Sequence, residues 1–98
     1  SHAAAMAKTM TAKPAYDAYD EGRKALREKR ADVALQKAEQ AIKLAPGEGH
    51  FHALKGDALA QQKNLQAATA AYTEAIARND GYFYYPLQRG LIAERQGN

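Results

Sequence analysis

Side chains able to do covalent or metal chemistry are few in this 98-residue chain. Ser1 is the only serine, in a Ser-His opening that resembles what tag cleavage leaves behind. No cysteine occurs, so thiolate nucleophiles, Cys-ligated metals and disulfides are all excluded. His50 and His52 invite a metal reading. Residues two apart do not share a helix face, and no third ligand stands at a useful spacing, so no metal site is expected. Asp17, Asp20 and Glu21 are explained by the electrostatics of a helix start. The basic run from Arg23 to Arg30 is interrupted by Glu28 and has no aromatic residue interleaved. Such a run is a solvated helix face, not a phosphate site, and no glycine-rich phosphate loop is present. Neither catalysis nor a cofactor is expected.

The elements that carry these residues are set by a repeat. Gly22 matches Gly56, Lys29 matches Lys63, Ala34 matches Ala68, Ala41-Ile42 matches Ala75-Ile76 and Gly47 matches Gly81, every pair 34 residues apart. Gly90 falls on the same period beyond Gly56. A fixed period of this size signals stacked units, not one closed domain. Charged residues at 26% and apolar residues at 46% are ordinary for a globular chain. A net charge of +3 is too small to suggest nucleic acid as the partner. No apolar run approaches the roughly 20 residues needed to span a bilayer, so direct membrane insertion is not expected.

The pattern predicts five helices and no strand. The entry, residues 1–13, is read as tag remnant followed by an Ala-rich stretch that is frayed helix or disordered. The first helix is expected from Pro14, a good first-turn residue, to about Arg30. Asp32 is the expected N-cap of a second helix that ends near Ala45, before Pro46-Gly47. A third helix is expected over about 49–63, with Asn64 making the turn, and a fourth over about 66–78. Asn79-Asp80-Gly81 stops the fourth, and a fifth begins near Tyr82 with Pro86 in its first turn. Short turns make neighbouring helices antiparallel.

This 34-residue period, with Gly, Ala, Ala and Pro at these offsets, resembles the tetratricopeptide repeat. The likeness covers about 15–98: repeat one at 15–48, repeat two at 49–82 and half of a third at 83–98. Family position 8 is small at Gly22, Gly56 and Gly90, position 20 at Ala34 and Ala68, and position 27 at Ala41 and Ala75. The position-24 aromatic is Tyr72 but Ala38 in the first unit, and the position-32 proline is Pro46 but Asp80 in the second. The position-4 tryptophan is replaced by Ala18, His52 and Pro86, and the position-7 leucine by Glu21, Lys55 and Arg89. The resemblance implies an all-α fold, an α-solenoid of antiparallel helix pairs in which small residues let the paired helices approach.

The resemblance also implies where a partner sits. The first helix of each unit lines the concave face in this family. The matching side chains that suit a partner are Tyr16, Tyr19, Arg23 and Arg27, then His50 and Asp57, then Tyr84, Leu87, Leu91 and Arg95. Tyr and Arg are favoured interface anchors, so this face suits a peptide or partner segment. The bland alternative is that some tyrosines only cover helix ends. The family's chaperone-binding subclass grips a C-terminal carboxylate using Asn in the middle unit, where this chain has Leu54 and Asp57, so that subclass is not expected. The leading expectation is thus a non-catalytic protein-interaction module. One alternative is a regulatory or substrate-positioning C-terminal domain of a larger bacterial enzyme. Gly81 to Gly90 is similar to terminal repeats of membrane-associated or periplasmic zinc metallopeptidases. Another is a homo-assembling scaffold fragment. The chain ends where a helix should follow Leu91 and Ile92, so more chain is expected beyond it, with weak self-association through 83–98. Cytoplasmic and periplasmic locations both fit.

Overall fold

A computed structural model of the chain describes residues 2–78, with side chains from residue 13 onward. The described residues form four helices and no strand: α1 His2–Arg27, α2 Ala31–Leu44, α3 Gly49–Gln61 and α4 Leu65–Arg78. The predicted fifth helix, the half repeat at 83–98 and its proposed self-association lie outside the described residues.

Buried contacts fix the topology. Ala15 and Ala18 of α1 pack against Ala41 of α2, while Ala25 packs against Ala34, so α1 and α2 run antiparallel. Leu59 meets Ala68, and Ala53 meets Ala75, which makes α3 and α4 antiparallel as well. Phe51 joins Ala15 at one end and Ala58 joins Ala25 at the other, so α1 and α3 lie side by side in the same direction. Two hairpins therefore stack with their first helices adjacent.

The hairpin turns explain the period. Glu28 closes α1, and Lys29 then adopts a left-handed conformation with φ 62°. The Lys29 amide donates to the Leu26 carbonyl and the Arg30 amide to the Ala25 carbonyl. That is the Schellman pairing that satisfies carbonyls left over at a helix end. The same device recurs at Lys63, with φ 68°, where the amides of Lys63 and Asn64 donate to the carbonyls of Ala60 and Leu59. Arg30 and Asn64 then start the next helix at once, their carbonyls accepting from Ala34 and Ala68. The turn between hairpins is different. Ala45 leaves the helix with φ −146° and ψ 79°, outside the α region that a following proline disfavours.

Several boundaries differ from expectation, among them the end of α1, at Arg27 instead of about Arg30. Helix α1 begins at His2, and Pro14 lies inside it. Alanine is the best helix former, and extending a helix already docked avoids the cost of a new nucleus, so the Ala-rich entry continues α1. Asp32 does not cap α2. Arg30 occupies that position without a side-chain cap bond, because the Schellman turn uses it, and Asp32 falls in the first turn, where its charge favours the helix dipole. Helix α3 stops at Gln61, since Lys63 is already left-handed.

The two repeat glycines are tight for different reasons. A Cβ on Gly22 would lie 2.7 Å from Leu54 Cδ2 and 3.2 Å from Lys37 Cβ, so α1 needs a small residue to seat against both α2 and α3. A Cβ on Gly56 would meet the Tyr72 ring, with Cε1 at 2.8 Å. There the space is taken by a large side chain from α4, not by a close backbone. Two charged residues 34 apart, Glu21 and Lys55, are paired across helices. Glu21 meets Lys37 at 2.7 Å and Lys55 meets Glu39 at 3.9 Å.

Candidate functional site

Because α1 and α3 lie side by side in parallel, their same-numbered turns face each other. Helical spacing puts Tyr16, Tyr19, Arg23 and Arg27 along one face of α1. On α3, His50, Asp57 and Gln61 recur along the neighbouring face. Four cross-links join the two rows.

At the first, the Tyr16 hydroxyl donates to Glu48 Oε2 at 3.0 Å. Glu48 is the N-cap of α3 and its other oxygen, Oε1, accepts from the His50 amide at 3.4 Å. Tyr16 is thereby tied to the start of α3 while remaining 42% exposed, which leaves an aromatic surface open to a partner. At the second, the rings of Tyr19 and His50 lie 6.5 Å apart. Both tyrosines lean on Phe51, which is fully buried beneath them, with ring centroids at 5.1 Å and 5.5 Å. Edge and tilted geometries of this kind are favoured for aromatic pairs.

The third link is electrostatic, the Arg23 charge acting on the Asp57 carboxyl. The Arg23 guanidinium donates to the Tyr19 hydroxyl at 3.1 Å and sits 5.7 Å over the Tyr19 ring centroid. Asp57 accepts a hydrogen bond from the Tyr72 hydroxyl of α4. Burial pushes the Asp57 carboxyl above its ordinary value, while the Tyr72 hydroxyl and the Arg23 charge pull it back only in part. The fourth link is Gln61 Nε2, which donates to the Leu26 carbonyl at 3.2 Å. Its Oε1 is buried and has no partner among the described residues.

The structure thus brings together Tyr16, Tyr19, Arg23, His50 and Asp57. Arg27 lies one turn beyond Arg23 on the same helix face and is exposed. Tyr84, Leu87, Leu91 and Arg95 lie outside the described residues. Sequence reasoning placed Gln61 on this face but missed Glu48 and the part Tyr72 plays in it. Glutamate is not one of the residues favoured at an N-cap, so nothing in the sequence announced Glu48 in that role. Nothing in the spacing of Asp57 and Tyr72 announces their bond, because it crosses between two helices.

The two histidines have separate environments. His50 faces Glu48, with Nε2 at 4.0 Å from Oε1. His52 is buried, with its Nε2 at 3.2 Å from the Pro46 carbonyl. Arg78 Nε donates to that same carbonyl at 2.8 Å, so the loop between the hairpins is held from both α3 and α4. No group of three or more His, Asp or Glu side chains among the described residues is placed to hold a metal ion. No helix among them is long and apolar enough to cross a membrane.

No protein-family model and no curated protein matches the chain.

Proposed function

We propose that this chain is a non-catalytic protein-interaction module of the tetratricopeptide type, binding a peptide or partner segment on the face shared by α1 and α3. The observation that carries this reading is the cross-linked double row of Tyr16, Tyr19 and Arg23 against His50 and Asp57. Aromatic rings and guanidinium groups supply large, rigid contact area, and interfaces are enriched in both. The rings here are braced from below by Phe51 and from the side by Glu48, so little freedom remains to be lost on binding. The repeat-type fold is supported by the period of 34 residues, which recurs in both the glycines and the left-handed lysines.

Chemical-shift mapping with a bound peptide tests the reading. Tyr19→Ala and Arg23→Ala are expected to weaken binding about tenfold or more, as truncated anchors do, with a much smaller loss of thermal stability. Shift changes confined to α2 and α4 would refute the assignment of the face.

A further inference from the structure

The two rows are not uniform along their length, and the gradient specifies what they would accept. At one end lie the open aromatic surface of Tyr16 and the half-buried ring of Tyr19 over Phe51. At the other end lie Arg23 and, one turn on, Arg27. Arg27 is exposed and has no hydrogen-bond or ion-pair partner among the described residues. Asp57 is the only acid in the α3 row between His50 and Gln61. Its carboxylate is committed to the Tyr72 hydroxyl and to the field of Arg23. The basic end therefore presents more positive charge than its neighbours on the face cancel.

We infer that the α1–α3 face takes an extended peptide segment with an apolar side chain for the tyrosine end and an acidic side chain for the arginine end. This rests on the binding reading above and adds the chemistry and register of the ligand. The register follows from helix geometry. Seven to eight residues of α1 separate the centre of the tyrosine pair from that of the arginine pair, which at 1.5 Å per residue is about 11 Å. An extended chain covers that in about three to four residues. Asp57 limits the acidic ligand's gain, since it competes for Arg23.

The test uses the whole chain and short peptides, acetylated and amidated so that termini carry no charge. One peptide has Leu followed by Glu at the fourth residue beyond it, in a Gly-Ser background. A second replaces the Glu by Lys, and a third sets Leu and Glu side by side. Binding is followed by fluorescence anisotropy and by amide shifts. The spaced Leu–Glu peptide is expected to bind about five- to tenfold more tightly than either control, as one or two exposed ion pairs allow. Arg27→Gln is expected to remove most of that advantage, and Asp57→Asn to enlarge it. Equal binding of the Glu and Lys peptides on this face, or an advantage unchanged in Arg27→Gln, overturns the acidic assignment and leaves the binding face standing. Equal binding of the spaced and adjacent peptides overturns the register. No binding by any of the three at millimolar concentration, or shifts only on other helices, overturns the binding face itself.

Discussion

Asp57 sits where burial favours the neutral form of its carboxyl. Burial raises the affinity of its carboxyl for a proton, and the Tyr72 hydroxyl and Arg23 do not fully compensate. Linkage gives the sign. An unfolded chain releases this proton near 3.8, whereas the folded chain holds it to a higher pH. Between those two values the folded state binds more protons, so the contribution of Asp57 to stability falls as pH rises through the window and stays low above it. Asparagine keeps an oxygen that can accept from Tyr72 and has no charge to desolvate. Asp57→Asn is therefore expected to melt higher than the parent at pH 7, with the difference shrinking as the pH is lowered towards 4. Thermal melts across that range measure it. A variant that melts lower at pH 7 would mean that the attraction of Arg23 outweighs burial.

Helix α4 meets α3 through a ring seated on a glycine. Tyr72 is 2% exposed, sets its ring against Gly56 and reaches Asp57 with its hydroxyl. Leucine at position 56 would drive the ring away and break that hydrogen bond together with the packing. Gly56→Leu is expected to cost about 3 kcal/mol, an overpacking penalty plus a lost buried hydrogen bond. Urea denaturation gives the value, and an unchanged midpoint would contradict this packing. The helices were readable in the sequence because Pro46-Gly47 and helical apolar spacing carry physical signals. Other features were not. Lysine gives no hint of a left-handed cap, so the turns at Lys29 and Lys63 showed only as a matched pair in the period. A proline at a permitted helix start looks the same as a proline inside a longer helix, which is why the start of α1 was misplaced. The rows of α1 and α3 were legible as far as helical spacing puts their members on one face of each helix. The bonds between them were not, since Tyr16–Glu48 and Asp57–Tyr72 depend on how helices distant in sequence are set against each other.

Seen whole, the described chain is two hairpins held at three kinds of seam: alanine contacts, ion pairs between helices, and the Pro46 carbonyl shared by His52 and Arg78. The first of these has a thermodynamic meaning. Among the described residues, eleven of the fifteen buried apolar ones are alanine, and only Phe51, Leu54, Leu59 and Tyr72 are larger. Alanine has no rotamers to surrender, so ordering this interior forfeits almost no side-chain entropy. It also removes little hydrocarbon from water, and the heat capacity gained on unfolding scales with that area. Calorimetry is expected to give a heat-capacity increment per residue below the usual range of about 12–15 cal/mol/K. An increment at or above that range would mean that apolar burial is larger than these seams supply. With so small an increment the stability curve is broad and shallow, and the fold changes little in stability across ordinary growth temperatures.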